Sequence, residues 1–245
     1  MKNPFKPAIL PWFTLGCGGL GLALRLWLYT NIDQKGLLPA THPAATLLFI
    51  LTALTLGALF LCVRPLKPLR KYAQLFPASM ERALGCGAGA VGILAGALHQ
   101  YKGGGDFLHL FTLILGVLAA LGLGWTAVAR LRGSRPFFLL HTVITVFFML
   151  FAVCNCRSWG SEPQLQKYFF SLLACVCLML TGYYLSVVDT RKGSRRWLVF
   201  FNQAALFFCC LSLHGENRVF YLGMLLWLAL DLCSVEVQQP PTEEV

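Results

Sequence analysis

Eight apolar stretches alternate with short polar connectors along this chain. They run at about Ile9–Tyr29, Ala45–Val63, Leu84–Tyr101, Phe107–Ala129, Phe137–Cys154, Tyr168–Val188, Trp197–His214 and Val219–Val235. A hydrocarbon crossing takes about 20 predominantly apolar residues. In lipid a single segment satisfies its own backbone hydrogen bonds only as a helix. The pattern therefore predicts an all-α, polytopic transmembrane bundle of about eight helices. Residues 1–236 read as one transmembrane domain. Residues 237–245, polar and carrying Pro240 and Pro241, read as a disordered cytoplasmic tail. The third, fifth, seventh and eighth stretches are short for a full crossing, and a count of seven would put the two chain ends on opposite sides.

Charge orients the bundle. Lys2 and Lys6, then Arg64, Lys67, Arg70, Lys71 and Arg82, then Arg130, Arg132 and Arg135, then Arg191, Lys192, Arg195 and Arg196 fall before the first stretch or in every second connector. The remaining connectors hold only Lys35, Lys102, Arg157, Lys167 and Arg218. Basic residues concentrate on the cytoplasmic side of short loops, so both termini are expected there. Trp27, Tyr29, Tyr101, Trp159, Tyr168 and Tyr221 fall at the outer level and Trp12, Trp125 and Trp197 at the inner one, as an interfacial aromatic belt would.

Composition agrees. The chain of 245 residues is 57% hydrophobic and 12% charged, with a mean hydropathy of +0.67; a soluble domain carries roughly 25% charged residues. The net charge of +10 is spread over alternate connectors rather than gathered in one patch, which argues against nucleic acid as a partner. Most of the ten cysteines lie in apolar stretches and read as small hydrophobes. Cys154 and Cys156 are too close in sequence for an unstrained bridge, so free thiols are expected. Met1–Leu24 resembles a signal peptide, and Thr14-Leu15-Gly16-Cys17 echoes a lipoprotein cleavage box. Cleavage there would strand Gly18–Tyr29 as half a span, so a first transmembrane helix is the reading preferred.

The run Gly85-Cys86-Gly87-Ala88-Gly89-Ala90-Val91-Gly92 has dinucleotide-fingerprint spacing, but it lies inside an apolar stretch with no strand before it. Small residues four apart let helix backbones approach closely in lipid. Gly85 with Gly89, and Ala88 with Gly92 and Gly96, form such stripes, and Gly116, Ala120 and Gly124 form another. The third helix is expected to be central and tightly packed. Asn202 and Gln203 read as interhelical hydrogen-bonding groups, and the charges of Arg25 and Asp231 sit near enough to span ends to snorkel into the interface. Leu98-His99 and Leu213-His214 end corresponding stretches, which would fit two parallel four-helix repeats.

Four of the five histidines, His42, His99, His109 and His214, fall at the outer level, with Asp33, Asp106, Asn155, Glu216, Asn217 and Arg218 nearby in depth. If the helices converge there, they build an outward-facing polar pocket. The candidate ligand-binding group is Arg25, His99, His109, Arg157, Glu162 and His214, with the arginines holding an anionic group and the histidines donating hydrogen bonds. The alternative is a solvated rim of interfacial polar residues.

No HxxxH, HExxH or CxxC pair points to a metal, and no GxSxG or P-loop is present. Trp159-Gly160-Ser161-Glu162-Pro163 reads as a turn. No cofactor and no catalytic residue is assigned. Arg135, Lys192, Arg195 and Arg196 are placed to meet anionic lipid, although topology alone explains them. The expectation is a multi-pass protein of the cell membrane, by its compactness a bacterial plasma membrane. Its partners would be the lipid bilayer and a small-molecule ligand bound or carried through the bundle. A membrane-embedded enzyme acting at the outer leaflet and a structural or partner-binding subunit are the alternatives.

Overall fold

The computed structural model describes residues 9–31, 42–66, 78–103, 106–134, 136–160, 167–189 and 194–233. Among these the chain is all-helical, with no strand. The helices are α1 (Leu10–Thr30), α2 (Pro43–Val63), α3 (Met80–Gly103), α4 (Phe107–Arg132), α5 (Phe138–Trp159), α6 (Phe169–Asp189), α7 (Arg195–Ser212) and α8 (Arg218–Trp227). α8 runs on into a π-helical turn, Leu228–Leu232. The tail, most of the connector before α2 and Glu162 lie outside the described residues.

Among the described residues five helices, α2 to α6, are long and apolar enough to cross a membrane. Across these five, burial against protein rises as hydropathy falls. The most apolar span, in α2, is 28% buried, and the least apolar, in α3, is 50% buried. Water as solvent would drive the opposite trend, because it leaves polar residues outside. Large apolar side chains such as Leu54, Leu121 and Trp125 stand about two-thirds exposed, at 67%, 67% and 66%. These observations make the molecule a membrane protein.

The centre is α7, not α3. Fourteen of its eighteen residues are buried, and it packs against α1, α2, α6 and α8. α3 packs on α4 and α8, with Gly85, Gly89, Gly92 and Gly96 turned toward neighbouring helices. A Cβ at Gly92 would sit 2.9 Å from the Gly223 Cα, and one at Gly85 would sit 2.8 Å from the Leu230 Cβ. Gly85, Gly89, Gly92 and Gly96 thus form one face against α8, not two stripes. On α4, Gly116 is tightly packed, whereas Gly124 meets nothing. The repeat fails the same test: α3 packs extensively on α8, but the corresponding pair, α7 and α4, makes no comparable contact.

Contacts between helix ends show alternating directions. The ends of α1, α5 and α7 gather with the starts of α6 and α8. At the other end, the ends of α4 and α8 meet near the start of α3. These ends are called outer and inner here, after the charge distribution. Gln203 and Asn202 donate to the Cys233 Sγ at 3.4 and 3.8 Å, joining α7 to the segment after the π turn, as expected of interhelical polar groups. All ten cysteines are free thiols.

Arg82, Arg130 and Arg195, counted above as connector charges, are buried in the inner turns of α3, α4 and α7. Asp231 does not snorkel: it is fully buried, and Arg130 Nε donates to its Oδ1 at 3.0 Å. Lipid and the bundle interior both penalise a lone charge, so a near-end acid and a near-end arginine are driven together.

Candidate functional site

A cavity with polar walls opens at the outer end and holds about 200 Å³. α1 supplies Arg25 and Tyr29, and the end of α5 supplies Trp159. The lead-in to α6 supplies Lys167 and Tyr168, with Ser171 one turn on. The turn after α7 and the first turn of α8 supply His214, Glu216, Asn217 and Tyr221.

Arg25 anchors this site. Its place in the buried stripe Thr14, Gly18, Gly21, Arg25, Leu28 turns it toward α7. Gly18 and Gly21 bring the two helices together there; added Cβ atoms would each fall 2.8 Å from a side-chain carbon, of Cys210 and Leu211 respectively. The last carbonyls of a helix have no intrahelical partner and carry the negative end of its dipole. Arg25 Nη1 donates to the Leu211 carbonyl at that end of α7, and Nη2 donates to the Lys167 carbonyl at 2.8 Å and to Tyr29 Oη at 3.5 Å. The guanidinium also lies over the Tyr29 and Phe170 rings, 5.6 and 5.9 Å from their centroids. Arg25 is only 3% exposed, so it is not snorkelling into the interface. All its acceptors are neutral, and among the described residues no carboxylate pairs with it.

Two aromatic pairs form the walls. Trp159 and Tyr168 stack at 4.6 Å, and Tyr29 meets His214 edge-on at 4.9 Å. Tyr29, Trp159, Tyr168 and Tyr221, all placed in the interfacial belt by their depth, line the cavity, and Trp159 and Tyr221 are buried. The His214 imidazole is held below its ordinary pKa, first by partial burial and then by the positive charges of Arg25 and Arg218. The charged side chains lining the cavity are Arg25, Lys167 and Glu216, two basic and one acidic.

Of the sequence candidates, Arg25 and His214 meet in this cavity. Arg157 is exposed and pairs with Asp106 at 3.0 Å, where the end of α5 meets the start of α4. His109 sits on the first turn of α4, and His99 is exposed on α3; neither lines the cavity. Glu162 lies outside the described residues. Lys167, Tyr168 and Ser171 were not in the candidate set, and only their place at the start of an outer-end helix hinted at them. Among the described residues no group of three or more His, Cys, Asp or Glu side chains converges as a metal site would require.

Fold and site together define a helical membrane protein with a polar cavity at one end, lined by Arg25, Lys167 and Glu216. Comparison with family models, curated proteins and solved structures finds no match.

Proposed function

We propose that this protein binds a small organic anion in the outer-end cavity, as the recognition step of transport or sensing. One observation carries the reading: a buried guanidinium whose hydrogen-bond acceptors among the described residues are all neutral oxygens forms part of an open cavity. Buried charges are normally paired, so the site favours a guest that supplies the missing negative charge. A volume of about 200 Å³ lies below the roughly 300 Å³ at which pockets for drug-sized ligands begin. The stacked rings suit a guest with a flat or apolar part beside its carboxylate or phosphate. With the charge distribution as guide, the cavity faces away from the cytoplasm, across a bacterial plasma membrane.

The test is thermal unfolding of detergent-purified protein against a panel of small carboxylates and phosphate esters. A true ligand at about 100 times its Kd stabilises by about 2.7 kcal/mol. Because Arg25 also caps α7, the discriminating variants are His214→Ala and Lys167→Ala, which leave that cap in place. Arg157→Ala serves as the control outside the cavity. Stabilisation that survives both cavity variants, or that Arg157→Ala alone removes, sinks the proposal. A second reading, a partner-binding subunit, gains from the exposed positions of His99 and Arg157; it predicts no stabilisation by any anion.

A further inference from the structure

At the opposite end of the bundle, a second cavity of about 170 Å³ lies between the last turn of α2 and the first turns of α7. Its walls are Phe60, Val63, Trp197 and Phe200, with the guanidinium-bearing Arg64 and Arg196 at its rim. Phe60 and Trp197 are 49% and 43% exposed, and Leu61 beside them is 67% exposed, so the groove opens onto the face of the span least covered by protein. Arg64 follows the final residue of α2, and Arg196 is the second residue of α7. Both therefore stand where hydrocarbon gives way to headgroups. Arg196 Nε donates to the Leu66 carbonyl at 2.8 Å, which fixes that guanidinium and leaves its Nη groups available. Among the described residues neither arginine has a carboxylate partner.

We infer that this groove is a binding site for one anionic phospholipid, its phosphate held by Arg64 and Arg196 and an acyl chain lying on Phe60 and Phe200. Charge and depth select the occupant. Arginine pairs with phosphate oxygens through two parallel N–H bonds. Two guanidinium groups at one rim, neither with a carboxylate partner among the described residues, favour a headgroup with net negative charge over a zwitterionic one. A free phosphate would leave the four apolar wall residues unfilled. The positive end of the α7 dipole lies at the same rim and adds to the attraction. The site is independent of the anion cavity at the outer end.

The experiment titrates the protein, in a neutral maltoside detergent, with dioleoyl phosphatidylglycerol, dioleoyl phosphatidylcholine or inorganic phosphate. It reads lipid retention by native mass spectrometry and the unfolding midpoint. Phosphatidylglycerol is expected to be retained and to raise the midpoint, and the other two are not. Each arginine near a membrane surface contributes about 1 kcal/mol to anionic-lipid attraction, or about fivefold in affinity. The double variant Arg64→Gln with Arg196→Gln should lose retention by about thirtyfold, while Arg132→Gln, exposed on α4, should not change it. Both changes are on exposed side chains, and the lipid-free midpoint of each variant checks its folding. As a measurement on the otherwise unaltered protein, phosphatidylglycerol with brominated acyl chains should quench tryptophan fluorescence less in Trp197→Phe than in the wild type. Equal retention by the double variant, equal effects of phosphate or phosphatidylcholine, or quenching indifferent to Trp197 would each overturn the assignment.

Discussion

Arg130 at the inner end and Arg25 at the outer end are both buried, and the two are satisfied in different ways. At the inner end Arg130 faces Asp231 through Nε–Oδ1 at 3.0 Å and Nη2–Oδ2 at 3.4 Å, and the Cys86 thiol donates to the same carboxylate at 3.4 Å. Exposure there is 1% and 0%, and the charges cancel. At the outer end Arg25 is almost as buried, but its partners are carbonyls and a phenol, and it borders a cavity. A charge matched by a countercharge becomes scaffold. A charge matched only by dipoles keeps its field, and that field is available to a visitor.

The sharpest challenge to this contrast is Asp231→Ala. It removes the carboxylate that Arg130 faces and should cost about 3–5 kcal/mol of stability, whereas replacing both Arg130 and Asp231 by leucine should cost much less. Equal losses in chemical unfolding would mean that the pair is not a closed unit. Next in size is Gly92→Leu. Even a Cβ would sit 2.9 Å from the Gly223 backbone, so overpacking should lower the unfolding free energy by about 1–3 kcal/mol or more; an unchanged melting curve would contradict the α3–α8 contact.

Ser171→Asp attempts to make the outer end resemble the inner one. A carboxylate placed in the cavity should neutralise Arg25 and abolish stabilisation by anions while the fold persists; anion binding undiminished in this variant would break the comparison. The smallest effect concerns pH. His214 is harder to protonate in the folded protein than in the unfolded chain, whose histidines titrate near about 6.5. The unfolded state therefore takes up more protons as pH falls through that value, and stability declines with it. His214→Gln should flatten this part of the pH–stability curve. A bound anion should raise the imidazole pKa again, visible as a shift in its NMR titration.

Depth in the membrane was legible in the sequence; direction around each helix was not. The eight helices appear near the stretches read from hydropathy, although α3 and α5 run several residues longer and α7 stops at Ser212. Arg25 and Asp231 stood out because ionisable residues inside apolar stretches are rare. Arg130, Arg82 and Arg195 did not, since counting basic residues near span ends assigns them to loops whichever way they point. The cavity was half visible for the same reason. His99, Arg157 and His214 share one level, but only His214 turns toward Arg25. Trp159 and Tyr221 have the depth of a headgroup belt and the azimuth of a pocket wall. Two stripes of glycine were read where one face exists, because spacing alone does not say which neighbour each stripe meets.

The inverse relation between apolarity and enclosure also bears on how the molecule is made. α7 carries Arg195, Asn202 and Gln203 on a helix of 18 residues, and α8 is shorter still. Both follow the helices they pack against, α1, α2 and α6 for α7 and α3 for α8. Neither is suited to persist alone in lipid as it leaves the insertion machinery, so their integration must wait for a shell already assembled. A translocation reporter placed after α7 should register poor insertion when that helix is expressed by itself and efficient insertion when α1 to α6 precede it.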